Sequence, residues 1–199
     1  MRLGIFGGTF DPPHIGHLVL AETVRDALSL DEVRFIPAAD PPHKDVSTLS
    51  PGPVRAELVS YAIAGHEGFR LDKRELARPG VSYTVDTLRE LKSELPDADL
   101  FFLMGADSLQ DLPTWREPGE IAQLARLAVV RRVGDSLDIP PSLADELAGR
   151  VEVVDCPLIE LSASDIRQRV RDGLSIRYRV PRAVEIVLAE RGLYGGAEV

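Results

Sequence analysis

The stretch LGIFGGTFDPPHIGHLVLA, residues 3–21, changes its chemistry twice. Residues 2–6 are an apolar run of strand length, and from residue 16 the apolar positions Leu18, Val19, Ala21, Val24 and Leu28 recur at helical spacing. Between these two segments stand Gly7, Gly8, the acid Asp11 and the imidazoles His14 and His17. Gly7 and Gly8 lack a Cβ, so the backbone can turn sharply there and a ligand can approach its N–H groups. The helix is expected to begin near residues 14–16, where free N–H groups and the helix dipole favour an anion. His14 and His17 are three apart and share a face of its first turn, so both can reach phosphate oxygens. Taken alone, H-x-x-H also fits a turn with two surface histidines. A zinc pair is a further reading, but no third ligand stands at suggestive spacing. The glycines are spaced neither as a dinucleotide-binding G-x-G-x-x-G nor as a phosphate-binding loop ending in G-K-[ST].

The same alternation continues outward. Strand-like runs occupy 32–37, 69–72, 100–104 (LFFLM), 126–131 and 151–154, with helical patterns at 54–64, 84–95, 162–171 and 181–190. Continuous apolar strands separated by helices predict an α/β fold, a doubly wound parallel sheet with helices on both faces. Ligands of such sheets collect outside the carboxyl ends of the strands, and most of the unusual polar clusters here follow a strand. The length predicts one domain over 1–199, with a helical C-terminal portion from about 160. Residues 38–53 form a proline-rich loop, a candidate lid or binding loop; 133–142 reads as a surface excursion, and 195–199 as a fraying end.

Composition narrows the function. The formal charge of −9, from 32 acids against 23 bases, argues against general nucleic-acid or membrane-surface binding, though not against small anions. Cys156 is the only cysteine, which rules out an intrachain disulfide and reads as a packed thiol. No run is long enough for a bilayer span or shaped like a signal peptide, so a reduced, cytoplasmic protein is expected.

Five further clusters admit a structural and a functional reading each. LSASDIR, 161–167, fits a capping box through Ser162 and Asp165, with Leu161 stapling to Ile166. As a helix start carrying Ser162, Ser164 and Arg167 it equally offers donors to phosphate. Lys44 in PPHK is a solvated loop lysine or an anion contact, and Ser82 or Thr84 in SYT is a cap or part of a donor-rich helix start. Trp115 in PTW is core or a stacking platform. In GADSL, Gly105 allows close backbone approach and Asp107 can accept from a ribose or cap the next helix.

GGTFDPPHIGH, 7–17, resembles the signature of the H-x-G-H nucleotidyltransferases, in the form carried by bacterial nicotinate-nucleotide adenylyltransferases. LSASDIR is similar to that family's I-S-[SA]-[ST]-x-I-R motif, with Leu161 in place of Ile, and the resemblance runs in order from residue 3 to RGLY, 191–194. It implies a Rossmann-like sheet of nucleotidyltransferase type and transfer of AMP from ATP to nicotinate mononucleotide. His14, His17 and Arg167 are then catalytic. Gly7, Thr9, Phe10, Gly105, Asp107, Ser162 and Ser164 would complete the ATP site. Gly8, Thr9, Lys44, Ser82, Tyr83, Thr84 and Trp115 would take the mononucleotide, with the 82–84 N–H groups on its carboxylate and Trp115 on its ring. Mg²⁺ is implied with ATP, held by phosphate and water rather than by protein ligands. The implied partners are small molecules, with a homo-oligomer left open. Two alternatives remain: the same chemistry on nicotinamide mononucleotide or phosphopantetheine, or a nucleotide sensor without turnover. A tRNA-synthetase fragment would need a K-M-S-K-S-like loop, which is absent.

Overall fold

A computed structural model describes residues 1–41, 49–132, 137–157 and 159–195. Strand β1 (Arg2–Gly8) runs through the middle of a six-stranded parallel sheet. Its neighbours follow the order β3 (Phe69–Leu71), β2 (Glu32–Pro37), β1, β4 (Asp99–Gly105), β5 (Arg126–Arg132), β6 (Val151–Cys156). All six strands expected from apolar runs are present, and every pairing is parallel. Alternate side chains of a strand enter opposite layers. Leu3 and Ile5 join Leu100, Phe102 and Met104 in a core covered by α4 (Thr84–Glu94), α5 (Ala106–Asp111), α6 (Pro118–Leu124) and α7 (Ala144–Leu147). Phe6, Phe101 and Leu103 face the other core, with α1 (Ile15–Ala27), α2 (Gly52–Ala62), α8 (Ala163–Arg171) and α9 (Arg182–Glu190). Burial on both faces is why β1, β4 and β5 read as continuous apolar runs, whereas the edge strands β3 and β6 keep exposed positions; each fully buried Leu, Ile or Phe contributes about 1.5–3 kcal/mol.

The helices depart from expectation in identifiable ways. α2 begins at Gly52, ahead of the expected 54, because Pro51 and Pro53 suit the cap and first turn of a helix. α3 (Arg74–Ala77), α5, α6 and α7 span two turns or fewer, too short for an apolar period to repeat recognisably. Of the expected loop over 38–53, residues 42–48 lie outside the described residues, and so does the candidate Lys44. Residues 133–136 of the excursion and 196–199 of the terminus lie outside them too; Pro141–Leu143 forms a single tight turn. Among the described residues no helix is long and apolar enough to cross a membrane.

The chain leaves β1 toward β2 and β3, then crosses back to place β4 on the other side of β1. This reversal opens a crevice outside the carboxyl ends of β1 and β4, which finish at Gly8 and Gly105.

Candidate active site

The turn after β1 delivers the two histidines to this crevice. His14 is the N-cap of α1, with extended backbone, and is only 7% exposed. Its N–H donates to His17 Nδ1 at 3.1 Å, the His17 N–H donates back to the His14 carbonyl at 2.9 Å, and the rings stack with centroids 3.6 Å apart. Because Nδ1 of His17 accepts, the neutral ring carries its proton on Nε2. His14 Nδ1 is buried with no hydrogen-bond partner among the described residues. Burial pushes the His14 pKa down to about 4, so the ring is neutral at pH 7. Gly16, between the histidines, is explained by His14: a Cβ there would lie 3.1 Å from ring atoms Cε1 and Nδ1. Phe10, held at a φ of 51°, backs His17 edge-to-face at 5.1 Å.

The start of α8 faces the histidines. Ser162 caps the helix by accepting from the Asp165 N–H at 3.0 Å, and its Oγ lies 3.0 Å from that of Ser164. Only this half of the expected capping box forms, because the Asp165 carboxylate faces Arg179 at 3.2 Å. Arg167 Nη1 donates to the Asp11 carbonyl at 2.7 Å. A cleft of about 600 Å³ is lined by Thr9, Phe10, His14 and His17 from one stretch and Ser162, Ser164 and Arg167 from the other. Two helix N-termini, hydroxyls, imidazoles and a guanidinium give it a donor set whose chemistry suits a polyanion.

On the β2 side lies a pocket of about 210 Å³ lined by Gly7, Gly8, Thr9, Glu75, Ser82, Tyr83, Thr84 and Trp115. Gly7, expected on the ATP side, thus lines this pocket and not the histidine cleft. A Cβ on Gly8 would fall 2.9 Å from Phe10 Cζ, so packing demands glycine there. Trp115 is half-buried, edge-on to Phe102 at 5.9 Å, and lines the pocket as a platform residue must. The cap expected from Ser82 or Thr84 is not made: Tyr83 is the N-cap of α4, without a side-chain cap bond. Ser82 Oγ instead accepts from the Ala39 N–H at 3.0 Å, and its N–H donates to the Asp40 carbonyl at 2.9 Å. Ser82's N–H is therefore committed to the fold, which leaves the first turn of α4 to supply backbone donors. Glu75, missed in the sequence, is 7% exposed and accepts from the Thr87 hydroxyl at 2.6 Å; burial pushes its pKa up. A lone acid in a charged segment gave no signal.

A third cavity, of about 500 Å³, follows β4 and includes Gly16, Gly105, Asp107, Arg131 and Cys156. Gly105 is the N-cap of α5, so Asp107 is not the cap; it is exposed in the first turn. Cys156 is buried, with Sγ 3.7 Å from Thr23 Oγ1, and neither it nor Arg131 was foreseen at a pocket. No group of three His, Cys, Asp or Glu among the described residues could hold a metal ion.

With this geometry in hand, known proteins give a consistent picture. The sequence model of the Cytidylyltransferase-like family matches residues 5–169. A Thermomicrobium roseum protein named "Probable nicotinate-nucleotide adenylyltransferase" is 48% identical over 99% of this chain and 93% of its own length. A protein of the same name from Exiguobacterium sibiricum is 45% identical over 98% of this chain and 99% of its own. Among solved structures, Plasmodium falciparum nicotinic acid mononucleotide adenylyltransferase complexed with NaAD superposes with a TM-score of 0.79. At 17% identity over 97% of each chain, that likeness speaks to the fold. The chain belongs to the cytidylyltransferase-like family and, within it, to the nicotinate-nucleotide adenylyltransferases.

Proposed function

We propose that the chain transfers AMP from ATP to nicotinate mononucleotide, releasing pyrophosphate and nicotinate adenine dinucleotide, a step of NAD biosynthesis. The observation that carries this reading is the meeting of two anion-binding helix ends, those of α1 and α8, around one cleft beside an aromatic pocket. The triphosphate is assigned to the histidine cleft, the adenosine to the cavity after β4, and the pyridine to the pocket beside Trp115. The first turn of α4 then offers N–H groups to the pyridine carboxylate. Lys44 is assigned to the mononucleotide's phosphate on its sequence resemblance alone.

The acceptor's phosphate oxygen attacks the α-phosphorus of ATP as the bond to the β-phosphate bridge breaks, and pyrophosphate leaves with the electron pair. The nucleophile is already anionic, so no covalent enzyme intermediate or general base is needed. Catalysis reduces to alignment and stabilisation of charge. His17 donates from Nε2 to the transferring group, and the neutral His14 ring adds the single N–H that it carries, with a second donor when the polyanion favours its protonation. Arg167 and the serines of α8 hold the departing phosphates. The donor set suits anions rather than a hard cation, so Mg²⁺ is assigned to phosphate oxygens and water; when bound it offsets charge on the leaving pyrophosphate. We assign the enzyme to the cytoplasm, with small-molecule partners and no nucleic acid or membrane.

Donors that bind a carboxylate also accept an amide oxygen, which keeps nicotinamide mononucleotide as a second acceptor. Pyrophosphate release measured with nicotinate mononucleotide, nicotinamide mononucleotide and phosphopantetheine tests the reading. The highest kcat/KM is expected for the first. Preference for the amide corrects the acceptor, whereas faster turnover with phosphopantetheine overturns the assignment.

A further inference from the structure

Two stretches have so far no part in the reaction: Asp11, inside the signature, and RGLY at 191–194. They meet in the fold. Asp11 is 1% exposed, and its carboxylate accepts from the Tyr194 hydroxyl at 2.6 Å and from the Ser50 N–H at 3.1 Å. Its carbonyl is the one that accepts from Arg167 at 2.7 Å. One residue thus holds the end of the chain with its side chain and a cleft guanidinium with its backbone.

Tyr194 is anchored for this contact. It adopts a φ of 66°, a left-handed conformation that bulky side chains rarely take, so surrounding contacts must hold it there. Arg191 grips Glu57 of α2 through both Nη atoms, at 2.7 and 2.6 Å, and the Leu193 N–H donates to the Leu188 carbonyl of α9 at 3.0 Å. Burial and the neighbouring Asp11 carboxylate push the Tyr194 pKa up, so the hydroxyl keeps its proton and remains a donor. Arg55, also 1% exposed, offsets the buried charge of Asp11 and donates to the carbonyls of Ser50 at 2.9 Å, Thr9 at 2.8 Å and Ala38 at 2.7 Å. The Asp11 carboxylate is thus held by two partners, the nearby Ser50 N–H and the Tyr194 hydroxyl, the latter arriving from 183 residues away.

We propose that Asp11 and Tyr194 are positioning residues of the transfer reaction, a latch through which the C-terminal segment fixes the carbonyl that orients Arg167 toward the triphosphate. Guanidinium is a planar fork, so anchoring one nitrogen sets the plane in which its remaining donors lie. Releasing the Asp11 side chain loosens its carbonyl and lets that plane rotate. The inference rests on the histidine cleft being the triphosphate site.

Tyr194→Phe removes the hydroxyl and keeps the ring. Pyrophosphate release is measured with ATP and nicotinate mononucleotide varied separately, and acceptor binding is followed by the fluorescence of Trp115, the only tryptophan. The variant is expected to lose about tenfold in kcat, the factor carried by one hydrogen bond, with KM and binding of the mononucleotide unchanged. Asp11→Asn keeps an acceptor for Tyr194 and is expected to retain more of kcat than Asp11→Ala. Wild-type kcat in Tyr194→Phe overturns the latch, as do equal losses in the two Asp11 variants. A general rise in KM for both substrates likewise overturns it, because that marks diffuse loosening. Wild-type protein that releases no pyrophosphate overturns the triphosphate assignment, and the latch with it.

Discussion

His14, proposed to contact the triphosphate, is a side chain costly to the fold. It is neutral because it is buried, and its Nδ1 has no partner among the described residues. The unfolded chain takes up a proton near pH 6.5 that the folded ring refuses until about pH 4, so this residue subtracts stability as pH falls through that window. The loss amounts to about 2 kcal/mol by pH 5 and about 3 kcal/mol by pH 4. Urea unfolding of wild type and His14→Gln at pH 7 and pH 5 measures it: the variant is expected to lose about 2 kcal/mol less, and parallel losses contradict the assignment. Gly16 makes the same point sterically. Gly16→Ala is expected to gain up to about 1 kcal/mol of helix stability while its Cβ displaces the His14 ring, lowering kcat about tenfold. A variant at least as stable as wild type and equally fast would show that the ring position does not matter.

At the scale of elements, what was legible depended on how local the controlling interactions are. The central strands β1, β4 and β5 were readable because burial on both faces makes each a continuous apolar run, whereas the edge strands β3 and β6 are shorter on apolar residues and keep exposed positions at Arg70 and Val153. α5 and α6, which carry residues of two pockets, were not readable, since a helix of two turns or fewer repeats its apolar period too few times to stand out. Ser82 looked like a cap by its place before α4, yet its hydroxyl is taken by Ala39, a partner 43 residues away that no local pattern reveals. Glu75, Arg55 and the Asp11–Tyr194 pair escaped notice for the same reason. Trp115 was ambiguous between core and platform because its short loop is both: the ring leans on Phe102 and still lines the pocket. Trp115→Ala is expected to raise KM for the mononucleotide about tenfold, the strength of one aromatic stack, with kcat less affected. A fall in melting temperature with KM unchanged would return Trp115 to the core.

For the whole molecule, periodicity indicated a doubly wound parallel sheet but not its strand order, which depends on where the chain crosses back. That crossing sets the reversal between β1 and β4, and the three cavities gather around the carboxyl ends of the strands. The signature could therefore be read as an anion site from sequence, while its distance from Ser162 and Arg167 vanished only in the fold. The central claim is that this shared cleft stabilises the transferring phosphate. The most direct test is kcat of pyrophosphate release in His17→Ala, alongside calorimetric binding of ATP. The account predicts a fall of about 10²–10³-fold in kcat with ATP binding weakened less than about tenfold. A kcat within about threefold of wild type would contradict it.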